Sequence, residues 1–342
     1  MKLTRILAVL GLAFSLSLSS GSSMAQAKPT VRFHEYPGSI IHIVNWAMIE
    51  KGFCDKHGIK CEPVSLASGP LAQQAAAAGS VDLIFSSADV MMQAVAKGND
   101  LQMVGAQIPN NVYSLSVRSD LPQPNRAAGY PKNMEDLKGK RIGVSARGSA
   151  TEMYVKSLFA GAGLPPESAV FVPVGAPATA FPALVAKQVD AVLSWDPVPA
   201  LCAATGSCNV AVDLRKGEGP ADIKAMNGGF VVWQARREYI EKNEATIDAF
   251  MRAVADGVAW VKDPQNYPAV LALANKHFKA GDVPNRDQFM EQVVKESIAQ
   301  SGTEFNPRVV EGFNNFLVKN KMIDKPLDLK RIVYRKLLNE TR

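Results

Sequence analysis

The pattern that most restricts the fold of this chain is an alternation of short apolar strands with helical segments, which runs twice along the sequence. Hydrophobic periodicity predicts strands first at 31–35, 61–66, 82–86 and 101–107, and then at 141–144, 170–174, 191–194 and 210–213. Helical patterns separate these strands, first at 39–51, 70–78 and 88–97, and then at 150–162, 177–187 and 197–204. This alternation predicts an α/β fold in which helices cover both faces of mostly parallel sheets.

Two extended segments connect these runs and predict a chain that passes twice between two lobes. Residues 113–118 follow the turn signal at 109–111, and the apolar segment 230–233 follows two glycines. From residue 237 onward the pattern is almost wholly helical, at 247–261, 267–277, 286–301 and 307–321. Because these helices have no sheet of their own, we expect them to pack on the first lobe. The predicted lobe I comprises 28–115 and 228–342, and lobe II comprises 116–227, with a ligand cleft between them.

The first residues have the order of a secretory signal peptide. Lys2 and Arg5 precede the apolar run 6–18, and Ser and Gly follow at 19–23. Cleavage after Ala25 or Ala27 fits the small-residue rule, and Ala27 is favoured. The apolar run is shorter than the roughly 20 residues of a membrane span, so an uncleaved anchor is the weaker alternative. We therefore expect a periplasmic location.

The charge balance is mildly basic. Lys and Arg number 38 against 32 Asp and Glu, a formal net charge of +6. This surplus agrees with an anionic ligand, but it is weak support because net charge is not the property of one site. The sequence has no Lys/Arg cluster with interleaved aromatic residues, so it does not predict nucleic-acid binding.

The four cysteines form two close pairs, Cys54 with Cys61 and Cys202 with Cys208. Each pair brackets a turn that can bring the two Cα atoms within bridging range, and the predicted compartment is oxidising. We therefore expect two local disulfides. The alternative is a metal site that uses His57, which lacks further ligands nearby.

Several ordered segments resemble the substrate-binding proteins of nitrate, sulfonate and taurine importers, together with related binders of thiamine-pyrimidine precursors. The segments are Ala47 to Phe53, His57-Gly58-Ile59, Ser68-Gly69, Gly79 to Ile84, Asp136 to Val144, Gln188 to Val192 and Trp195-Asp196-Pro197. Each segment is weak alone, but their order extends over nearly the whole chain after residue 27. The resemblance implies a two-lobed type II periplasmic-binding-protein fold with two hinge crossovers. It also implies an ABC permease with its ATPase as partners, and a monomer.

Two loops of predicted lobe I place small polar residues between a strand and a helix. Ser68 and Gly69 stand at the start of one helix, and Ser86 and Ser87 precede the next. Helix N-termini offer backbone N–H groups to an anion, so these four residues are predicted ligand contacts. Plain capping of the helices is the alternative explanation.

In predicted lobe II, the loop before the helix at 150–162 and its first turn carry Arg147, Ser149 and Thr151. An arginine can grip a carboxylate through two parallel hydrogen bonds, and the hydroxyls can add further donors. The sequence therefore predicts an anion contact at Arg147. A solvated surface arginine is the alternative.

Further predicted ligand contacts lie at strand ends, helix starts and crossovers. They are Tyr36, Asn110, Ala176, Pro177, Trp195, Asp196 and Gly228. Tyr36 and Trp195 could form an aromatic wall for an aromatic or aliphatic body, or could be core residues. Asp196 would not suit a bare anion, and could instead bind a hydroxyl or an amine or cap a helix.

The sequence predicts binding rather than catalysis. It contains no nucleophile elbow, phosphate loop or dinucleotide fingerprint, and no cofactor or metal is expected. We expect a receptor that captures a small organic anion, a sulfonate or an aromatic carboxylate first, and delivers it to an ABC importer. One alternative is a sensory protein that presents the solute to a membrane receptor. Another is a pyrimidine-precursor enzyme of related fold, which would need His34 and His42 and whose clustered Cys motif is not matched here.

Overall fold

A computed structural model describes residues 27–339. The predicted signal peptide, residues 1–27, therefore lies outside the described residues except for its last position. The strands of the described part are β1 (Thr30–Glu35), β2 (Lys60–Ser65), β3 (Ile84–Ser87), β4 (Leu101–Ile108), β5 (Ser114–Arg118), β6 (Arg141–Val144), β7 (Val170–Pro173), β8 (Ala191–Ser194), β9 (Cys208–Asp213) and β10 (Val231–Arg236).

Helices occupy most of the remaining chain. They are α1 (Ile43–Glu50), α2 (Phe53–Lys56), α3 (Gly69–Ala77), α4 (Ala88–Ala96), α5 (Ala150–Gly161), α6 (Pro177–Val185), α7 (Val198–Thr205), α8 (Ala221–Lys224), α9 (Arg237–Lys242), α10 (Glu244–Lys262), α11 (Tyr267–His277), α12 (Arg286–Gln300), α13 (Val309–Lys319), α14 (Leu329–Ile332) and α15 (Arg335–Asn339). The predicted strands and helices are all present, with ends that shift by a few residues. The short helices α2, α8, α9, α14 and α15 were not among the individually predicted elements.

The first sheet consists of a two-stranded part, β2-β1, and a three-stranded part, β3-β10-β4, so that its strands follow the order β2-β1-β3-β10-β4. β1 pairs with β2 in parallel, and a parallel bridge between Phe33 and Leu83 joins this pair to the β3 side. β10 lies between β3 and β4 and runs antiparallel to both. The segment predicted as the return crossover is therefore an internal strand of this sheet.

The second sheet has the order β7-β6-β8-β5-β9. β6 pairs in parallel with β7 and β8, whereas β5 runs antiparallel to β8 and β9. In each sheet the fourth strand is thus the antiparallel one. It is also the strand that enters after the chain has left the other half of the molecule, which confirms the predicted α/β fold. We propose that lobe I contains the first sheet and lobe II contains the second. β5 then belongs wholly to lobe II, although the predicted boundary at residue 115 falls inside this strand.

The core of the first half is built around the face of its sheet. Phe33, Phe85, Trp233 and Phe250 are fully buried, and their neighbouring ring centroids lie 4.8–5.7 Å apart. Burying side chains of this size stabilises the fold by about 1.5–3 kcal/mol each. Phe250 belongs to α10, so the helical C-terminal region packs on the first sheet, as expected.

Both predicted disulfides are present. Cys54 in α2 bonds to Cys61 in β2, and Cys202 in α7 bonds to Cys208 in β9. Their Cα atoms lie 6.0 Å and 4.7 Å apart. Each bridge ties a helix to the strand that follows it. Between residues 27 and 339 there is no free cysteine, and no helix there is long and apolar enough to cross a membrane.

Candidate functional site

Residues from both sheets meet where the loops after β1, β3 and β8 converge. Tyr36 follows β1 and Trp195 follows β8, and their ring centroids lie 4.9 Å apart. The indole Nε1 of Trp195 donates a hydrogen bond to Ser39 Oγ at 2.8 Å. In open α/β sheets this carboxyl edge of the strands is the edge that binds ligands.

Two more tyrosines extend this contact into an aromatic cluster, defined as Tyr36, Tyr113, Tyr154 and Trp195. Tyr113 lies between β4 and β5, and its ring centroid is 5.9 Å from Trp195 and 5.4 Å from Tyr154. Tyr154 is on α5. The rings make edge-to-face and tilted contacts, which their quadrupoles favour. The cluster is therefore a largely buried set of flat rings that carries three phenol hydroxyls.

A carboxylate lies beside the aromatic cluster. Asp89, in the first turn of α4, is fully buried. Its oxygens accept hydrogen bonds from Ser87 Oγ at 2.6 Å, from the Val90 N–H at 2.6 Å and from the Tyr154 hydroxyl. Burial raises the pKa of Asp89, because these neutral donors replace water only in part.

The three tyrosines remain uncharged at neutral pH. Burial raises the pKa of Tyr36, Tyr113 and Tyr154, and the nearby charge of Asp89 raises each of them further. Their phenol hydroxyls therefore keep the proton that a hydrogen-bond donor needs.

The two histidines near the cluster are held by the backbone. His34 lies between the carbonyl oxygens of Phe85 and Leu66, at 2.9 Å and 3.0 Å, and burial lowers its pKa to about 4. His42 Nε2 accepts from the Tyr36 N–H at 2.7 Å, and burial lowers the pKa of His42 as well. Both rings are therefore neutral supports of the loop after β1. In the described part of the chain, no group of three or more potential metal ligands is found.

The predicted contacts in the first half are brought close together. Ser68 caps α3 by accepting from the Leu71 N–H at 3.3 Å, and a side chain at Gly69 would stand 3.4 Å from the Cβ of Ser86. Ser86 Oγ accepts from Gln234 Nε2 at 2.9 Å. The hydroxyls of Ser68 and Ser86 are thus hydrogen-bonded within the protein, whereas the hydroxyl of Ser87 donates to Asp89.

Arg147 lies on the outer side of its loop. Its side chain is 56% exposed and pairs with Glu152 at 3.1 Å. Ser149 Oγ donates to the Ala146 carbonyl at 2.7 Å, and Thr151 Oγ1 accepts from the Ser145 N–H at 2.8 Å. The hydroxyls of this loop therefore satisfy its own backbone.

Asp196 is buried in an ion-pair network. Its carboxylate accepts from Arg215 Nη1 at 2.9 Å and from Gln300 Nε2 at 2.7 Å. Arg215 also pairs with Asp213 at 2.9 Å. Because Gln300 ends α12 and Asp196 follows β8, this network joins the C-terminal helices to the second sheet.

The remaining predicted contacts lie along the junction of the two halves. Ala176 and Pro177, both buried, start α6, whose next residue donates its N–H to the Pro37 carbonyl at 3.4 Å. Gly228 adopts a φ of 108°, which glycine tolerates, and its N–H bonds to the Pro109 carbonyl at 2.7 Å. Asn110 is exposed in the same crossing.

The sequence analysis did not single out three residues of this candidate site. Asp89 falls within the helix predicted at 88–97, and Tyr113 and Tyr154 fall within the segments predicted at 113–118 and 150–162. Asp89 carries a weak signal, since it is an acid among apolar residues of a buried helix start. The tyrosines carry none, because the pairing of β5 and the packing of α5 bring them here.

Comparison with protein families gives one match, to a family described as NMT1/THI5 like, over residues 41–267. A Haemophilus influenzae protein named for thiamine biosynthesis is 33% identical over 144 residues, or 42% of each chain. A Brucella abortus protein named as a binding protein is 27% identical over 150 residues, or 44% of this chain and 42% of that protein. The chain thus matches less than half the length of these curated relatives.

Solved structures share the fold over most of the chain. A Bordetella bronchiseptica protein has a TM-score of 0.75 at 20% identity, covering 92% of this chain and 97% of its own. The alkanesulfonate-binding protein of Xanthomonas axonopodis, bound to MOPS, has a TM-score of 0.68 at 20% identity, covering 89% and 98%. The nitrate-binding protein of Synechocystis has a TM-score of 0.67 at 13% identity, covering 91% and 88%. At these identities the likeness establishes the periplasmic-binding-protein fold.

Proposed function

Because the chain belongs to the NMT1/THI5-like family, we propose that it is the solute-binding component of an ABC importer. It captures a small organic molecule between its two lobes and delivers it to a permease that an ATPase drives. The observation that carries this proposal is the aromatic cluster, which brings rings from both halves to the carboxyl edge of the strands. The signal-peptide pattern of residues 1–27 supports a periplasmic location.

Capture requires the two lobes to move relative to each other. Several interactions join the halves next to the aromatic cluster, among them Tyr154 with Asp89, Trp195 with Ser39, Gln300 with Asp196, and the α6 N-terminus with Pro37. Two backbone crossings remain when these interactions break, the connection from β4 to β5 and the one that enters β10. Rotation about the crossings opens the site to solvent, and closing excludes water from the ligand.

The ligand has a compact or flat organic body. Tyr36 and Trp195 provide ring faces for such a body, and the tyrosine hydroxyls can direct its polar groups. A small organic anion, a sulfonate or an aromatic carboxylate, is the class favoured from the sequence and stays a prediction. Side chains give the prediction of an anionic ligand only limited support, because Arg147 already pairs with Glu152 and Arg215 already pairs with Asp196 and Asp213.

We further propose that the ligand leaves unchanged. A desulfurization enzyme shares the fold at a TM-score of 0.52, so the fold alone does not exclude catalysis. The proposal rests on the cluster itself, in which His34 and His42 are neutral and each bonded to backbone atoms. A general base needs a free basic nitrogen directed at the substrate.

A ligand screen followed by a tryptophan substitution tests this function. Thermal unfolding is measured with alkanesulfonates, taurine, phthalate-type acids, nitrate, bicarbonate, pyrimidine precursors and aromatic amines. We expect one class to raise the Tm and to be recovered unaltered by mass spectrometry. Trp195→Phe should weaken its binding about ten-fold, because a ring edge and the hydrogen bond to Ser39 are lost together.

Trp260→Phe is the matched control, since Trp260 lies on α10 against Lys51, away from the cluster. Its affinity should equal that of the unsubstituted protein. The proposed function is wrong if no compound stabilises the protein, or if the bound compound is recovered as a different molecule.

A further inference from the structure

Among residues 27–339, Asp89 differs from the other fully buried acids in having no basic partner, a feature that the partly exposed Glu35 shares through its buried carboxyl group. Six acidic side chains are buried in the described residues. Five of them pair with arginine or lysine, and these five are Asp82, Glu152, Asp190, Asp196 and Asp213. Asp89 accepts only from a hydroxyl, a backbone N–H and a phenol.

A buried carboxylate without a positive partner is unfavourable, because the neutral donors do not balance its charge. The N-terminus of α4 compensates part of that charge. The rest can be supplied by a proton in the empty site or by a positive group when the site is filled. Asp89 stands beside the ligand surface, so the bound molecule is the available source of such a group.

The aromatic cluster favours the same kind of group. Ring faces are negative, and cations bind over them with about 0.5–2 kcal/mol. Tyr36, Tyr113 and Tyr154 all lie near enough to Asp89 to respond to its charge. An anion placed among these rings would meet a carboxylate and four ring faces. A nitrogen that carries hydrogen and positive charge would be attracted by both.

The arrangement also couples this chemistry to closure. Asp89 is in the first half, next to β3, whereas its donor Tyr154 is on α5 in the second half. Trp195 reaches the cluster from the end of β8. A ligand nitrogen that binds Asp89 is therefore enclosed by rings from the other lobe when the lobes come together.

We propose that Asp89 binds a nitrogen donor of the ligand, so that the transported class is an organic ammonium compound or a protonated amino-heterocycle on a compact or flat body. This inference rests on the proposed function and names the ligand class of that same site. A ligand that also carries an acidic group, a zwitterion, satisfies it. A ligand that is only an anion does not.

Three probes of matched size test the inference: benzylammonium, benzyl alcohol and benzoate. Isothermal titration and thermal unfolding are measured on the unsubstituted protein and on the Asp89→Asn variant. This substitution keeps the shape of the side chain and removes its charge. We expect benzylammonium to bind at least ten-fold more tightly than benzoate. Asp89→Asn should weaken benzylammonium binding about 10- to 100-fold, as expected for a hydrogen bond to a charged group, and should leave benzoate binding unchanged or improved.

Asp82→Asn is the matched control, because it neutralises a buried aspartate of the same lobe that pairs with Arg32 outside the cluster. Asp82→Asn should lower the Tm without changing the relative affinities of the three probes. If Asp89→Asn does not fold, the inference is judged from the relative affinities of the three probes for the unsubstituted protein.

The inference is overturned if benzoate binds as tightly as benzylammonium, or if Asp89→Asn keeps the preference for the amine. Anion binding that is lost in Trp195→Phe would overturn it and leave the proposed function standing. Absence of binding to all three probes, together with a ligand screen in which no compound stabilises the protein, would overturn both.

Discussion

Replacing Arg215 by methionine should destabilise the protein strongly, because one guanidinium neutralises two buried carboxylates. Arg215 donates to Asp196 at 2.9 Å and 3.1 Å and to Asp213 through two contacts of 2.9 Å. The side chains of Asp196 and Asp213 are 0% and 4% exposed. Methionine fills a similar volume and leaves both acids without their main partner. Removing one member of a buried pair costs about 3–5 kcal/mol.

Chemical unfolding followed by circular dichroism measures this loss, and thermal unfolding should show it as a fall in Tm of roughly 6–20 °C. Arg147→Met is the matched control. Its pair with Glu152 has an arginine that is 56% exposed, so solvent screens the interaction and the loss should stay within about 1 kcal/mol. If Arg215→Met lowers the free energy of unfolding by less than about 1 kcal/mol, the reasoning that this network stabilises the fold is refuted.

The stability loss of Arg215→Met should depend on pH, and the direction of that dependence follows from the pKa values of Asp196 and Asp213. Arg215 lowers the pKa of Asp213 below its ordinary value, while burial raises the pKa of Asp196 in spite of Arg215. Without the guanidinium, both carboxyls should have raised pKa values and take up protons on mild acidification. The deficit of Arg215→Met should therefore be largest near pH 7 and shrink toward pH 4. A deficit that does not change with pH would indicate lost packing instead.

Three further predictions concern the bridges and the site. Unreduced protein should react with no thiol reagent, and Cys54→Ser with Cys61→Ser should cost about 2–3 kcal/mol in chemical unfolding, since the bridge closes a short loop. Arg147→Ala should change ligand affinity by less than about 0.5 kcal/mol in titration, because its side chain is 56% exposed and pairs with Glu152; a larger loss would support the prediction that Arg147 contacts the ligand. Benzylammonium affinity should fall on acidification, because burial raises the pKa of Asp89 and its carboxylate attracts the cation only while it is ionised; a flat titration profile would contradict this.

Local pattern predicted the elements well because strands and helices here follow the apolar periodicity of their own residues. The strands at 141–144 and 191–194 and the helix at 267–277 have the predicted bounds. Local pattern does not specify which strands become neighbours. The position of β10 between β3 and β4, and its antiparallel direction, depend on contacts with residues more than 100 positions away.

The site was predicted in part for the same reason. Tyr36 and Trp195 were identified because each follows a strand, and strand ends meet at one edge of a parallel sheet. Tyr113 and Tyr154 reach the cluster only through the antiparallel pairing of β5 and the packing of α5. No short segment of the sequence records either event.

The loops that predict an anion site already use their hydroxyls for hydrogen bonds within the folded protein. Ser68 caps α3, and Ser149 and Thr151 form hydrogen bonds within their own loop. Ser86 accepts a hydrogen bond from Gln234. Hydroxyls placed before helices satisfy backbone groups first, because an unpaired buried N–H costs about 1–3 kcal/mol whether or not a ligand is present. In the proposal made above, the groups left to distinguish one solute from another are the aromatic rings and Asp89, and both would favour a positive nitrogen over a bare anion.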